Sequence, residues 1–306
     1  MQEDKLITPI DAELAKSIIA QKCPDIEIRE FAYIGGGDYS VFEVNNEIVF
    51  RFPKVNIDAN KKIPGFEDFL FNIIRSKLLP HEIPEKIFTI ETNEFNIPGP
   101  AIGYRKFSGQ QIPKIHAKPD IKLANLLSDF LSRLHSIEVK KLQSIGVRST
   151  DWKSIVLWHK ENYKFVKQDV FPLLKKDEKD WLTEIFESFL KKSARMNPPL
   201  AFTHGDFDPS NVLIHGTYDH LQVLDFDEVR IYDPAVDFCP WWGEYGSGFI
   251  EEMVRTYTLS IGPAFMPRVR FYYNRIPVIY FEIGLKTDNK NFITYGHKLL
   301  SKRMQP

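Results

Sequence analysis

Acidic and amide side chains interrupt two of the most apolar stretches of the 306-residue chain. The first stretch, "FTHGDFDPSNVLIHG", contains Asp206, Asp208 and Asn211, and the second, "VLDFDEV", contains Asp225 and Asp227. Burial of a carboxylate is unfavourable unless a hydrogen-bond donor or a cation compensates its charge. Because Pro209 separates Asp206 from Asn211, these two side chains are expected to share a loop. The 19 residues from Asp206 to Asp225 suffice for a strand, a turn and a returning strand, which would bring Asn211 back towards Asp225.

This set of side chains suits phosphoryl transfer. One Asp can accept the proton of an attacking hydroxyl, while an Asn and a second Asp hold Mg²⁺ through hard oxygen ligands. A competing hypothesis is a transition-metal site for hydrolysis, built from His204, Asp206, His215 and His220. Their spacing matches no HExxH-type or paired-histidine arrangement, so the sequence favours the magnesium-dependent reaction.

Composition and charge narrow the class of protein. Apolar residues make up 43% of the chain, charged residues 26% and aromatic residues 13%, which is typical of a globular protein with a core. The net charge of −1 provides no global field for nucleic acid or an anionic membrane. Two distant cysteines, no signal-peptide pattern and no apolar stretch of membrane-spanning length predict a soluble cytoplasmic protein, with a monomer as the expectation.

The first third of the chain is predicted to be a small lobe with an antiparallel sheet. Alternating apolar residues indicate strands, the glycines at 35–37 interrupt them, and Asn45-Asn46 is typical of a tight turn. Helical spacing of apolar residues flanks this region. The predicted elements are a helix over 9–22, three strands within 26–54, a helix over 65–79 and strands over 86–91 and 100–107.

The remainder of the chain is predicted to be a larger, mainly helical lobe. Apolar stripes at helical spacing follow residue 120, recur in "DEKDWLTEIFESFLKK" and return over 249–302. The sequence therefore predicts an α+β protein with a strand-rich lobe over 1–104 and a helix-rich lobe over 105–306. Ligand sites favour the junction of two such lobes.

The motif pair "HGDFDPSN" and "LDFD" resembles the catalytic and metal loops of the aminoglycoside phosphotransferases, a branch of the protein-kinase-like fold. The resemblance extends over most of the chain: "IGGGDYSVFEV" is similar to the glycine flap, "GYRKFSGQ" to the inter-lobe hinge and "DFLSRLHSI" to the first large-lobe helix. "EIGLKTDNKNFITYGHKLL" is similar to the C-terminal helix of the 2″-phosphotransferases, and "DPAVD" has a form also seen in macrolide phosphotransferases. The resemblance implies a two-lobed kinase-like fold that uses ATP or GTP.

By this resemblance, Asp206 is the catalytic base, and Asn211 with Asp225 holds Mg²⁺. His204 matches a motif histidine that orients the loop and does no chemistry itself. Two departures from the 2″-enzymes stand in the same motifs. Asp227 occupies a position where they usually carry glycine, and Asn211 one where they often carry histidine.

The resemblance also implies a nucleotide site in the small lobe. Arg51 stands where kinases carry a lysine on the third strand and is the favoured phosphate clamp, with Lys54 as the alternative. Glu67 is the favoured partner of that cation, with Asp68 as the alternative. Three further parts complete the predicted nucleotide site. They are the glycine flap, the residue that touches the nucleotide base and the hinge: Gly35, Gly36, Gly37 and Ser40, then Val49, then Tyr104 and Lys106.

The implied acceptor is a hydroxylated small molecule, and an aminoglycoside antibiotic would be cationic. Candidate acidic contacts are Asp237, Glu244, Glu251 and Glu252. Asp237 is alternatively a support that accepts backbone hydrogen bonds, and the glutamates are alternatively first-turn acids favoured by a helix dipole. A kinase for a macrolide, a choline-like amine or a sugar is the first rival function. A nucleotide-binding module without transfer activity and a protein kinase are the others, and the sequence lacks a recognisable "APE" segment for the latter.

Overall fold

A computed structural model describes residues 10–54, 66–112, 120–193, 195–216 and 218–305. The chain forms two compact units. The first comprises Met1–Gln111 and Leu213–Leu224, and the second comprises Ile112–Val212 and Asp225–Pro306. No helix of the described residues is long and apolar enough to cross a membrane.

The first unit contains a five-stranded antiparallel sheet with the strand order β1-β2-β3-β5-β4. Its strands are β1 Phe31–Gly35, β2 Tyr39–Val44, β3 Ile48–Pro53, β4 Lys86–Ile90 and β5 Ala101–Arg105. The turn between β2 and β3 has φ values of 54° at Asn45 and 57° at Asn46. Two consecutive left-handed residues are the conformation that a tight hairpin turn requires and that asparagine tolerates. The predicted strands and their turn are thus confirmed.

Strand alternation sorts the residues of this sheet onto two faces. Phe42, Val44, Phe50 and Phe52 are buried, and they pack with α1, Ala12–Lys22, through Ile18 and neighbouring apolar residues. Asp11 begins that helix, because its carboxylate accepts the backbone N–H of Leu14 at 2.8 Å. Val49 and Arg51 alternate with the buried phenylalanines and are only half-buried, so they lie on the opposite face.

Two further elements belong to the first unit. The helix α2 spans Phe66–Ile74, which agrees with the start of the helix predicted over 65–79 but ends earlier. A three-stranded sheet has the order β6-β8-β9, with β6 at Gln110–Gln111, β8 at Val212–His215 and β9 at His220–Val223. Only residues 216–219 separate β8 from β9 in the sequence, so these neighbouring strands form a hairpin.

The second unit is mainly helical, as predicted. Its helices are α3 Ile121–His135, α4 Val139–Ser144, α5 Trp152–Phe165, α6 Lys176–Ser193, α7 Ala235–Tyr245, α8 Ser247–Thr256, α9 Phe265–Lys286 and α10 Lys290–Met304. Leu123, Leu127, Phe130, Leu131 and Leu134 of α3 are fully buried, which confirms the predicted apolar stripe. The long helix α9 packs against α7, α10 and α6, and α3 packs against α8.

A two-stranded ribbon carries the loop of interest in this unit. The strand β7, Ala201–Thr203, pairs antiparallel with β10, Arg230–Tyr232, with Phe202 opposite Ile231. Phe202 and Ile231 are buried, so the ribbon is embedded in the helical core. The polar segment that starts at His204 therefore leaves directly from a rigid strand.

Candidate active site

The loop between β7 and β8 is held at its start by one buried carboxylate. Asp237, in the first turn of α7, is fully buried, and its Oδ2 accepts the backbone N–H of His204 while its Oδ1 accepts that of Gly205, both at 2.8 Å. Gly205 has φ +84°, and a Cβ atom there would lie 2.3 Å from the carbonyl oxygen of Glu228. Only glycine fits this position, which directs the following residue, Asp206.

Asp237 is itself supported by a chain of buried side chains. His135 at the end of α3 lies with Nε2 2.9 Å from Asp237 Oδ2, and its Nδ1 lies 2.8 Å from the hydroxyl of Tyr257. Burial disfavours the charged form of Asp237, but the hydrogen bond and charge of His135, with His204 and the Gly205 N–H, outweigh it and lower its pKa. Both carboxylate oxygens are used, and these contacts favour the support role over a substrate contact.

Asp206 and Asn211 lie close together on the loop. The side-chain amide of Asn211 donates to the Asp206 carboxylate Oδ2 and to the Asp206 carbonyl oxygen, at 3.0 Å each. The backbone N–H of Asp206 donates to Nδ1 of the buried His204 at 3.3 Å. Burial raises the pKa of Asp206, and the charges of Asp208 and Asp237 raise it further, against the lowering effects of His204 and the Asn211 hydrogen bond.

The remaining loop residues fix its shape. Asp208 accepts the backbone N–H of Ser210 at 2.8 Å and begins the short turn Pro209–Asn211, so it acts as a cap. Phe207 is fully buried. Its ring stacks on that of Phe130 with centroids 5.5 Å apart, and its centroid lies 5.6 Å from that of Trp241. The phenylalanine between the two acids therefore anchors the loop in the core.

Asp225 follows β9 just as Asn211 precedes β8. Because β8 and β9 are neighbouring strands joined by a short turn, Asn211 and Asp225 lie at the same end of that hairpin. Asp225 has the left-handed backbone angles φ 59° and ψ 69°, which are uncommon for a residue other than glycine. Such strain concentrates at functional sites.

The alternative transition-metal site is not formed. Among the residues that the structure describes, no group of three or more His, Cys, Asp or Glu side chains is arranged to hold a metal ion. The rings of His215 and His220 instead stack on each other at 4.4 Å, and His215 Nε2 lies 2.9 Å from the hydroxyl of Ser108.

The candidate phosphate-binding residues of the first unit cluster at the ends of β1 to β3. The guanidinium of Arg51 lies 4.0 Å from the ring centroid of Tyr39, and Lys54 Nζ donates to the carbonyl oxygen of Gly36 at 3.1 Å. Gly36 has φ +121°, and a Cβ atom there would lie 2.3 Å from the Tyr39 carbonyl oxygen, so the turn requires glycine. Ser40 differs from the prediction: its side chain is fully buried on the core face, which leaves only its backbone as a candidate phosphate contact.

The candidate hinge residues Tyr104 and Lys106 form hydrogen bonds and ion pairs with other residues of the first unit. The hydroxyl of Tyr104 donates to Glu67 on α2, and Val49 is the strand partner of Tyr104. Asp68, the alternative partner of the clamp, pairs with Lys86 at 2.5 Å. Lys106 pairs with Glu43 at 2.6 Å, so its charge is neutralised within the sheet.

The candidate acceptor contacts differ in their surroundings. Glu244 and Glu251 are exposed, whereas Glu252 pairs with Arg255 one turn along α8 at 3.1 Å. Sequence reasoning missed Tyr280 on α9, whose pKa is raised by burial and also by Tyr295, Asp206 and Asp208. Its ring lies 4.7 Å from that of Tyr295, so the two tyrosines form an aromatic pair.

A buried ion pair also escaped the sequence analysis. Asp233 accepts Arg268 Nε at 2.7 Å and the Tyr272 hydroxyl at 2.9 Å, and all three residues are buried. Asp233 Oδ1 also accepts the backbone N–H of Ala235 at 3.0 Å. The partners lie 35 and 39 residues from Asp233 in sequence, and no local pattern signals such a pairing.

Comparisons with known proteins show which family and fold the chain has. A family model described as "Phosphotransferase enzyme family" matches residues 35–272. Three solved structures superpose along nearly the whole chain. The GDP and kanamycin complex of aminoglycoside 2″-phosphotransferase IIIa has a TM-score of 0.82 at 25% identity, covering 95% of this chain and 98% of its own. The streptomycin–ATP complex of aminoglycoside 2″-phosphotransferase IIa gives 0.67 at 19% identity, with 97% of each chain covered.

The third structure, macrolide 2′-phosphotransferase type I, gives a TM-score of 0.73 at 14% identity and covers 96% of this chain and 99% of its own. At such low identity the last two structures show the fold alone. No relative was found among curated protein sequences. The kinase-like α+β fold predicted from the sequence is confirmed.

Proposed function

Because the chain belongs to the phosphotransferase enzyme family, we propose that it transfers the γ-phosphate of ATP or GTP to a hydroxyl group of an aminoglycoside. The observation that carries this proposal is the hydrogen bond from Asn211 to the Asp206 carboxylate, on a loop whose start is fixed by Asp237. A formed and anchored pair of this kind argues against a nucleotide-binding module without transfer activity. The acceptor class rests on the neighbour at 25% identity, which is a complex with GDP and kanamycin.

Asp206 is the proposed catalytic base. The side-chain amide of Asn211 donates a hydrogen bond to Oδ2 of the Asp206 carboxylate and thereby orients that carboxylate. An acceptor hydroxyl that donates to this carboxylate is aligned for attack on the γ-phosphorus. Its proton moves to Asp206 as the new oxygen–phosphorus bond forms, while the bond from the γ-phosphorus to the bridging oxygen breaks and the nucleoside diphosphate leaves. Because the transition state of phosphoryl transfer is loose, positioning should outweigh strong base catalysis.

Asn211 and Asp225 are the proposed Mg²⁺ ligands. The amide nitrogen of Asn211 is used by Asp206, and its side-chain oxygen makes no hydrogen bond with the described part of the chain, which suits a hard cation. Asp225 supplies a carboxylate at the same end of the β8–β9 hairpin. When bound, Mg²⁺ would neutralise charge on the phosphates.

The first unit is proposed to bind the nucleotide through the glycine turn and the outer face of β3. Gly35, Gly36 and Gly37 present backbone N–H groups, and Arg51 supplies the cation on the face that Val49 shares. Arg51 is preferred to Lys54, because Arg51 stands at the position of the third strand where kinases carry a lysine. Lys54 Nζ donates to the Gly36 carbonyl oxygen and so stabilises the turn. Glu67 and Tyr104 are proposed to support this face.

Glu244 and Glu251 are the proposed contacts for acceptor amines. Both carboxylates are exposed, whereas Glu252 is engaged by Arg255 and Asp237 by the loop. An exposed carboxylate can pair with an ammonium group at little desolvation cost.

A coupled nucleotide-consumption assay tests the proposal. ATP and GTP are each supplied with kanamycin, gentamicin, a macrolide, a simple amino alcohol and a sugar, with Asp206→Asn as the matched inactive control. Turnover that requires an aminoglycoside and Mg²⁺ and is lost in Asp206→Asn is the expected result. Turnover with another acceptor class alone would replace the aminoglycoside assignment, and nucleotide binding without acceptor-dependent turnover would overturn the kinase assignment.

A further inference from the structure

A groove in the second unit lies between one face of α6 and one face of α9. It encloses a cavity of about 390 Å³, within the range that holds a small molecule. No proposed catalytic, metal, nucleotide or acceptor residue lines it. Its apolar walls are formed by Trp181, Phe189, Met196, Trp242, Met266 and Phe271.

Aromatic rings dominate the groove. The rings of Phe189 and Phe271 are parallel within 3° with centroids 3.7 Å apart, and both side chains are buried. Trp181 and Trp242 are only half-buried and line the cavity. Aromatic walls of this kind favour a planar aromatic guest, because ring faces and edges pack well on one another.

A polar side chain without a partner lines the same cavity. Asn274 of α9 is 7% exposed, yet its amide makes no hydrogen bond with any residue that the structure describes. The amide atoms are not among the fully buried polar atoms that lack a partner, so they stay accessible from the cavity and a bound water molecule or ligand can satisfy them. A guest that offers a hydrogen-bonding group would therefore be recognised by Asn274.

The charges at the groove favour an anion. Lys192 and Arg270 line it, and neither forms an ion pair within the described residues. Glu184 is the one acidic residue among those that line the cavity, so the cations are in excess. We propose that this groove binds a small aromatic acid, with its ring between the tryptophans and phenylalanines and its carboxylate held by Lys192, Arg270 and Asn274.

The groove is distinct from the catalytic loop. No residue of the loop from His204 to Asn211 lines it. On α9 it involves Met266–Asn274, whereas Tyr280, whose pKa is raised in part by the charge of Asp206, lies 6 to 14 residues further along the helix. At a rise of about 1.5 Å per residue, this separation is about 9–21 Å. The proposed site therefore does not depend on the proposed kinase reaction.

Isothermal titration calorimetry with 2-naphthoate tests the site, with uncharged 2-naphthylmethanol as the matched comparison. We expect saturable binding of one naphthoate per chain and at least tenfold weaker binding of the alcohol. Ser188→Trp should fill the groove and abolish binding, whereas Ser301→Trp on the exposed face of α10 should not. Asn274→Leu and the double variant Lys192→Ala with Arg270→Ala should each weaken binding at least threefold. Circular dichroism establishes that each variant is folded.

Three outcomes would overturn the proposal. The first is no saturable heat up to the solubility limit of naphthoate. The second is unchanged naphthoate binding in a folded Ser188→Trp protein. The third is equal affinity for the acid and the alcohol, which would leave an apolar groove without anion recognition. None of these measurements uses nucleotide turnover, so failure here and failure of the kinase proposal are distinguishable.

Discussion

Asn211 donates its side-chain amide to the carboxylate and to the carbonyl oxygen of Asp206, both at 3.0 Å. This double contact fixes the rotamer of the proposed base and turns the amide oxygen of Asn211 away from it. One residue would thereby orient the proposed base and present an oxygen ligand for the proposed Mg²⁺. The two proposed roles of the loop are mechanically coupled through this pair.

Replacing Asp206 with Asn should separate chemistry from binding. We expect kcat to fall by about 10²–10⁴-fold, because the acceptor proton loses its base. The nucleotide dissociation constant should change little, since the nucleotide is proposed to be held by other residues. Steady-state kinetics and equilibrium titration with a fluorescent nucleotide measure the two quantities. Near-normal turnover in the variant would exclude Asp206 as the base.

Asp237 should control the loop without touching substrate. The buried carboxylate of Asp237 accepts the backbone N–H groups of His204 and Gly205 and pairs with His135. Because Asp237→Asn removes this charge, the free energy of unfolding should fall by about 3–5 kcal/mol. At a temperature where the variant is folded, kcat should fall while KM for the nucleotide stays within about threefold, because Asp206 is misplaced. Urea unfolding measures the free energy of unfolding, and steady-state kinetics measures kcat and KM.

A matched control is Asp180→Asn on the exposed surface of α6, which should change stability by less than about 0.5 kcal/mol. If Asp237→Asn matched this control in both stability and kcat, the proposed support of the catalytic loop would be wrong.

The acid limb of the pH–rate profile should respond to Asp208. The charge of Asp208 raises the pKa of Asp206, and only the deprotonated carboxylate can act as a base. Asp208→Asn keeps an oxygen that can cap Ser210 but removes the charge. The pH at which kcat is half-maximal on the acid side should therefore move to lower pH, with kcat on the alkaline plateau unchanged. Asp180→Asn should leave the profile in place, and a shift to higher pH in Asp208→Asn would contradict the assignment.

Local features of this fold were predictable because they depend on neighbouring residues. The Asn45-Asn46 turn follows from the tolerance of asparagine for left-handed angles, and the stripe of α3 follows from helical spacing. The loop containing Asp206 and Asn211 was predictable for the same reason, since Pro209 allows few backbone conformations there. The position of Asp225 at the same end of the β8–β9 hairpin as Asn211 was predictable too, because it requires only a short hairpin.

Features that depend on distant partners were not predictable. The contact between His135 and Asp237 joins residues 102 apart, and the hydrogen bond between His135 and Tyr257 joins residues 122 apart. The resemblance placed Ser40 in the flap over the phosphates, but strand alternation turns its side chain to the core. Which face of a strand is buried becomes known only when the opposing helix is in place.

Stability of the protein should fall in mild acid because of His159. This residue is fully buried among Trp158, Phe189, Phe271 and Tyr272, and burial, with the nearby charges of Arg275 and Arg230, lowers its pKa well below the ordinary value. The unfolded chain therefore binds a proton that the folded chain rejects once the pH falls below about 6.5. This one group should remove up to about 1.4 kcal/mol of stability per pH unit below that point and nothing above it.

Urea unfolding at pH 7.5, 6.5 and 5.5 measures this dependence. His159→Gln lowers stability at every pH through lost packing, but its loss between pH 6.5 and 5.5 should be smaller than that of the natural chain. His297→Gln, at a half-buried histidine on α10, is the comparison variant and should keep the natural slope. Equal slopes in all three proteins would rule out His159 as the source.

Two glycine substitutions should show whether the backbone conformation at Gly205 requires glycine, whereas Gly248 can be replaced. Gly205→Ala adds a Cβ atom 2.3 Å from the Glu228 carbonyl oxygen at a residue with φ +84°, so we expect a loss of at least about 1–3 kcal/mol and a large loss of kcat. Gly248→Ala adds a Cβ atom with no neighbour within 4 Å in α8, and it should be neutral or stabilise the protein by up to about 1 kcal/mol. Thermal unfolding and turnover measure both variants. Equal behaviour of the two would mean that the catalytic loop adapts to a side chain at Gly205, and the backbone path that delivers Asp206 would then not be rigid.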